Sequence, residues 1–294
     1  MKIIDCVTYF DEPMLFEVRK NILDKFVDVF LVIEARYTHS GKKKNLNFNI
    51  NNYSDIKNRI IYLVIDDEPH DLIIDQSLSS SQKRINSLKR INQSYDKALD
   101  YLKICSPEDF FILSDIDEIP NLERLNLKEI DSKIILFKQK MFYYKFNLYY
   151  DLIPWFGSKA CKIKNLISPS LLRYSKSKKY PHWRIDTWFS KVKHRSVKIV
   201  EEGGWHFTNI KSPEKILEKY LNFGHHNEFE DNQIGIEDIR KMVFEKKVGY
   251  NHVTDKRNPN KISLNSYQLK KISIDQLPKE ISTQKVKYKE FIEE

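Results

Sequence analysis

The residues best placed to do chemistry are Asp115, Asp117 and Glu118, which follow almost directly on the apolar run Phe110-Phe111-Ile112-Leu113. Asp115 and Asp117, spaced i and i+2, can project to the same side of an extended backbone. Two hard oxygen ligands held that way suit Mg²⁺ or Mn²⁺, with phosphate oxygens and water filling the other positions. A calcium loop is excluded. Counted from Asp115, Pro120 falls where such a loop needs glycine, and Asn126 falls where the closing glutamate belongs.

These acids need a strand to hold them. The apolar run reads as a buried strand of a parallel sheet covered on both faces, and Pro120 stops its pairing. Ligands of open α/β sheets bind in the crevice beyond the carboxyl ends of such strands. The preceding chain supplies the sheet. Residues 2–10 read as a strand, and Asp11-Glu12-Pro13 opens a helix with Met14, Leu15, Val18, Ile22 and Leu23 on its apolar face. Residues 27–33 form a second strand ending at Glu34, which completes a βαβ unit. A third strand over 59–65 and a helix over 82–104, carrying Arg84 and Arg90, lead to the acid-bearing strand.

Beyond the acids the pattern changes. Residues 133–156 are strand-rich and aromatic, and Trp155 falls in a loop beside Pro154. The stretch 159–193 is basic and lacks clear periodicity. Residues 197–200 and 203–207 read as two strands joined by a glycine turn, and Ser212-Pro213-Glu214 has the order of a helix start. The expected organisation is one α/β domain over 1–250, mostly parallel with flanking helices, followed by a polar, Lys-rich extension over 251–294.

The totals narrow the function classes. The 294 residues carry a formal charge of +9, compatible with nucleic acid, an anionic membrane or phosphate-bearing ligands as partners. The excess reads as diffuse, so no nucleic-acid partner is expected. With only seven glycines there is no Gly-x-Gly-x-x-Gly or Walker A loop, which removes the commonest dinucleotide and ATP sites. Three widely spaced cysteines read as reduced thiols. No apolar run is long enough to span a bilayer, and residues 2–7 enter a strand pattern rather than a signal peptide. The expectation is a cytoplasmic chain with no integral membrane segment.

Four segments together resemble glycosyltransferase family 17, the family of the bisecting N-acetylglucosaminyltransferase and its microbial relatives. They are residues 4–12, then Val32-Ile33-Glu34 with Thr38-His39-Ser40-Gly41-Lys42, then residues 113–120, and Gly204-Trp205-His206-Phe207; residues 219–225, ending at His225, add to them. Two departures stand out: position 11 is Asp where Asn is expected, and the anchor and stem of the Golgi members are absent. The second argues against a luminal N-glycan as the expected acceptor.

The resemblance implies a GT-A-like fold, a UDP-sugar donor (UDP-N-acetylglucosamine), a glycan acceptor, Mn²⁺ or Mg²⁺, and inversion at the anomeric carbon. On that reading Asp117 binds the metal, Asp115 holds the ribose or a metal-bound water, and His206 is a further ligand. Phe10, Glu12 and Glu34 seat the nucleoside, and Lys42 or Arg90 pairs with the diphosphate. Trp155 and Trp183 offer rings to the acceptor. An inverting displacement also needs a base, and Asp186, set between Trp183 and Trp188, is chosen over Asp151, Glu201 and Glu202. Two other readings stay open: a nucleotidyl- or phosphotransferase using the same acids, and a non-catalytic basic module for nucleic acid or acidic glycan.

Overall fold

The computed structural model describes residues 1–75, 77–126, 130–224, 226, 229, 234–250 and 262–294. The first half alternates as expected: β1 (Ile3–Tyr9), α1 (Pro13–Leu23), β2 (Val29–Ala35), β3 (Ile60–Ile65), α2 (Ser80–Asp96), α3 (Leu99–Leu102) and β4 (Phe110–Asp115). The single helix expected over 82–104 is therefore two. The chain continues through β5 (Glu118–Pro120), β6 (Ile134–Phe137), β7 (Gln139–Tyr143), β8 (Leu148–Trp155), β9 (Lys159–Lys162) and α4 (Pro169–Tyr174). It closes with β10 (Val197–Val200), β11 (Gly204–Thr208), α5 (Pro213–Asn222), α6 (Ile236–Glu245), β12 (Lys247–Tyr250), β13 (Ile262–Gln268), β14 (Lys270–Lys271) and α7 (Lys279–Ser282).

The main sheet has seven strands in the order β10-β6-β9-β4-β1-β2-β3. Its β4-β1-β2-β3 half is parallel, and β9 runs antiparallel to both β4 and β6. The alternation of β4 shows why it is buried on both sides. Phe110 and Ile112 join the apolar cluster that includes Phe16 and Val18 of α1, whereas Phe111 and Leu113 face Tyr95 and Leu102 of α2 and α3. A continuous apolar run is what a two-faced strand requires.

A second sheet, β14-β8-β7-β11-β5, lies beyond the acids. The acid motif is the crossing point, since β4 ends at Asp115 in one sheet and β5 starts at Glu118 in the other. Two further crossings run alongside, from β6 to β7 and from β10 to β11, with β6 and β10 parallel in the main sheet and β7 and β11 parallel in the second. The two strands expected to pair across Gly203-Gly204 thus belong to different sheets, and the glycines carry the chain between them. Gly204 has φ +122°, and a Cβ there would collide with the Ile119 carbonyl. Gly204→Ala is expected to destabilise the fold by roughly 1–3 kcal/mol, the range for a strained backbone position, read by denaturant titration. An unchanged midpoint would show that β5 and β11 can move apart freely.

The C-terminal segment differs from the expected peripheral extension over its described part. Leu277, Ile281, Tyr288 and Ile292 are buried in the core, and β14 adds an edge to β8. Asn147 fastens the end: its Nδ2 donates to the Glu293 carbonyl at 2.9 Å and its Oδ1 accepts from the Glu293 amide at 2.8 Å. The anchoring residues are spaced among lysines and glutamates, so the stretch reads as polar while burying one apolar edge. Residues 251–261 lie outside the described residues.

Candidate active site

A cavity of about 430 Å³ opens at the carboxyl ends of β1 and β4, and Asp115, Asp117, Glu118 and His206 all line it. Pairing of β11 with β5 brings the histidine there. His206 is in register with Glu118, and the Phe207 amide donates to the Asp117 carbonyl at 2.8 Å. The His206 Nε2 lies 3.6 Å from Asp117 Oδ1, and Lys219 of α5 donates to Asp117 Oδ2 at 3.1 Å. Burial would raise the Asp117 carboxyl, but Lys219 and His206 outweigh it and hold it well below the usual carboxylate range. Burial likewise works against the Lys219 ammonium, yet Asp117 and Glu12 keep it above the ordinary lysine value.

The other two acids share one guanidinium. Arg173 of α4 donates to Asp115 Oδ2 at 2.6 Å, to Glu118 Oε2 at 2.6 Å and to the Gly157 carbonyl at 2.6 Å. Tyr95 donates to Asp115 Oδ1 at 2.9 Å, and the Trp155 indole donates to Glu118 Oε1 at 2.7 Å. Asp115 sits deep in the concave wall yet opens to the cavity. Burial pushes it up to about 6, against Arg173 and with Glu118 and Asp117 adding to the rise. Glu118 is also opposed by burial, but Arg173 brings it below the ordinary glutamate value. Asp115 and Asp117 therefore have different surroundings: one is tied to an arginine and a tyrosine, the other to a lysine and a histidine.

A buried pair supports this arrangement from below. Arg19 of α1, fully buried, donates to Asp5 Oδ2 at 2.7 Å and to the Glu118 carbonyl at 2.6 Å. It thereby connects the first helix and first strand to the acid motif.

The structure brings some expected site residues together and separates others. Phe10 and Glu12 line the cavity; Glu12 accepts from the Phe10 amide at 3.0 Å and pairs with Lys211 at 2.8 Å. Trp155 also lines it, at the end of β8 rather than in a loop, with its ring 4.7 Å from that of His206 and nearly parallel. Glu34 lies beneath the wall, where it pairs with Lys44 and accepts from the Asn47 and Phe48 amides and the Tyr62 hydroxyl. It is not among the lining residues, although its partner Lys44 and its neighbours Ile33 and Ala35 are.

Lys42 and Arg90 are not among the lining residues; Arg90 pairs with Glu68 at 2.5 Å and donates to the His39 carbonyl. Asp186 and Trp183 also lie outside the lining, on an exposed loop where Asp186 pairs with Arg184 and Lys193 at 2.6 Å each. Asp151, Glu201 and Glu202 pair with Lys270, Lys138 and Arg124, and none lines the cavity. His225 lies outside the described residues.

Residues that sequence reasoning did not assign to the site make up much of its wall: Tyr95, Arg173, Lys219, Arg84 and His39. His39 is pushed down to about 4 by burial and by the nearby Arg84 and Arg90, so it presents a neutral imidazole. His39 and Lys219 fall in segments that carry the family resemblance, Arg84 lies on a helix leading to the acids, and Arg173 lies in the basic stretch 159–193; nothing local pointed to Tyr95.

The family model of glycosyltransferase family 17 matches residues 1–241. No curated protein sequence matches the chain. Among solved structures, HddC from Yersinia pseudotuberculosis is similar with a TM-score of 0.32 and 9% identity, covering 68% of this chain and 90% of that one. The same protein complexed with GMP-PN gives the same TM-score, 0.32, and the same identity, 9%. Those overlaps are too loose to speak to fold or chemistry. The family match, by contrast, spans the strand-end acids, the Trp-His-Phe segment facing them and the crossings that join the two. The chain belongs to glycosyltransferase family 17.

Proposed function

We propose that this chain is a GT-A-like, metal-dependent, inverting glycosyltransferase that moves N-acetylglucosamine from UDP-N-acetylglucosamine to a glycan acceptor. The observation that carries the reading is the convergence of Asp117, His206 and Asp115 on one cavity at the carboxyl ends of parallel strands. The donor set fits a divalent cation. Asp117 Oδ1 and His206 Nε2, 3.6 Å apart, are close enough to share one ion. Among the described residues no three His, Cys, Asp or Glu side chains form a ready metal cage. Two protein ligands suit an ion that takes its other positions from phosphate and water, and a carboxylate–imidazole pair favours Mn²⁺ over Mg²⁺. When bound, the ion supplies neutralising charge for the diphosphate leaving group.

The chain's own residues do the rest. Phe10 and Glu12 bound the nucleoside end of the cavity, with neutral His39 nearby, and Lys44, Arg84 and Lys219 supply positive charge along the phosphates. Asp115, oriented by Tyr95 and Arg173, accepts a ribose hydroxyl. Trp155 offers a flat ring to a pyranose. Of the described residues, the acids lining the cavity are Glu12, Asp115, Asp117 and Glu118, and these are the described candidates for a carboxylate base.

UDP is expected to raise the melting temperature only when Mn²⁺ is present. At a hundredfold excess over Kd the native state gains about 2.7 kcal/mol. A larger shift with GDP or CMP, or an equal shift in EDTA, would overturn the donor and metal assignments respectively.

A further inference from the structure

The stretch from Lys176 to Arg195 contains seven lysines and arginines against a single acid, Asp186. It thus holds most of the net +9 that first reads as diffuse. The same stretch displays Trp183, Ile185, Trp188 and Phe189, each between 69% and 86% exposed. Isolated exposed apolar residues are ordinary, but four large ones in seven positions are a patch.

The loop is built to hold them outward. Its backbone is tied at both ends, Lys176 to the Val192 carbonyl at 2.8 Å and Tyr180 to the His194 carbonyl at 3.3 Å. Its tip is a short turn in which the Trp188 amide donates to the Ile185 carbonyl at 2.9 Å and buried Thr187 donates to the Arg184 carbonyl at 2.6 Å. Asp186, accepting from both Arg184 and Lys193, staples the turn to the returning strand of the loop. Rings and an aliphatic side chain are thereby fixed at the surface, with Lys178, Lys179 and Lys191 exposed around them.

We propose that this loop docks the enzyme on an anionic lipid bilayer, with Trp183, Ile185, Trp188 and Phe189 entering the interface and the lysines meeting lipid phosphates. Tryptophan and phenylalanine with a basic surround are the composition that binds at the headgroup boundary. A base-stacking role suits the geometry less well. The guanidinium of Arg195 lies 4.3 Å from the Trp188 ring centroid and covers a face that a base would need, and Ile185 has no face to stack. Among the described residues no helix is long and apolar enough to cross a membrane, so docking would be peripheral. The proposal does not depend on the donor or the metal.

The test is co-sedimentation of the full chain with vesicles of phosphatidylcholine alone or mixed with phosphatidylglycerol. Binding is expected only to the anionic vesicles and is expected to weaken as salt is raised. Trp188→Ser/Phe189→Ser should weaken it at least about tenfold through lost apolar burial. Each of Lys178→Gln, Lys179→Gln and Lys191→Gln should weaken it about fivefold. Unchanged circular dichroism of the variants would exclude misfolding as the cause. Equal binding to neutral vesicles, no vesicle binding at low salt, or variants that bind like wild type would each overturn the proposal. So would binding of a single-stranded oligonucleotide, or self-association in sedimentation velocity, that depends on Trp188 and Phe189 while vesicles are ignored.

Discussion

Asp117→Asn is expected to lower sugar transfer by about a hundred- to a thousandfold while the protein stays folded. If Asp117 holds the proposed ion, removing its charge would forfeit several kcal/mol of leaving-group stabilisation, and about 1.4 kcal/mol corresponds to each tenfold. Asparagine keeps the size and one carbonyl oxygen, so β4, β5 and the Phe207 amide bond to the Asp117 carbonyl are untouched. What is lost is the anion that Lys219 and His206 face. Binding of UDP by calorimetry should therefore lose its dependence on Mn²⁺. A folded variant with normal Mn²⁺-dependent UDP affinity would remove Asp117 from the metal site.

The largest stability effect is expected at Arg19. Arg19→Met removes one partner of a fully buried ion pair and leaves Asp5 charged in the core, which typically costs about 3–5 kcal/mol. It also withdraws the guanidinium bond to the Glu118 carbonyl, so the acid motif loses a support from beneath. The double variant Asp5→Leu/Arg19→Met should recover much of the loss, because an apolar pair of similar volume carries no stranded charge. Denaturant midpoints of the two variants test this. If the single variant is as stable as the double one, a stranded Asp5 costs nothing and the expectation fails.

The strand-end acids were legible because a strand buried on both faces must be continuously apolar, and its abrupt end in three carboxylates stands out against that background. The first βαβ unit was legible for the same reason, with Phe16 and Val18 of α1 packed where the helical spacing puts them. The clamp on the acids was not. Arg173 lies in a stretch with no periodicity, and its link to Asp115 depends on α4 returning to the sheet, which no local pattern records. Lys219 reaches Asp117 from a helix 102 residues away in sequence.

Asp186 illustrates the opposite error. Two neighbouring tryptophans suggested an enclosed pocket, yet in the fold those rings face outward and Asp186 is occupied by Arg184 and Lys193. Composition near a residue does not say which side of the surface it is on. Arg90 was similarly misleading, because Glu68 and the His39 carbonyl take up its donors. The C-terminal apolar residues were hidden by their spacing among charged ones, although Tyr288 is almost fully buried.

The central claim is that the cavity over Asp117 and His206 receives a UDP-sugar with a divalent cation. Mass-spectrometric detection of nucleotide release from a panel of nucleotide sugars, with and without Mn²⁺, tests it most directly. UDP is expected from UDP-N-acetylglucosamine, only with Mn²⁺, and little is expected from Asp117→Asn. Release of GDP or CMP in preference, or of UDP at the same rate in EDTA, would contradict it.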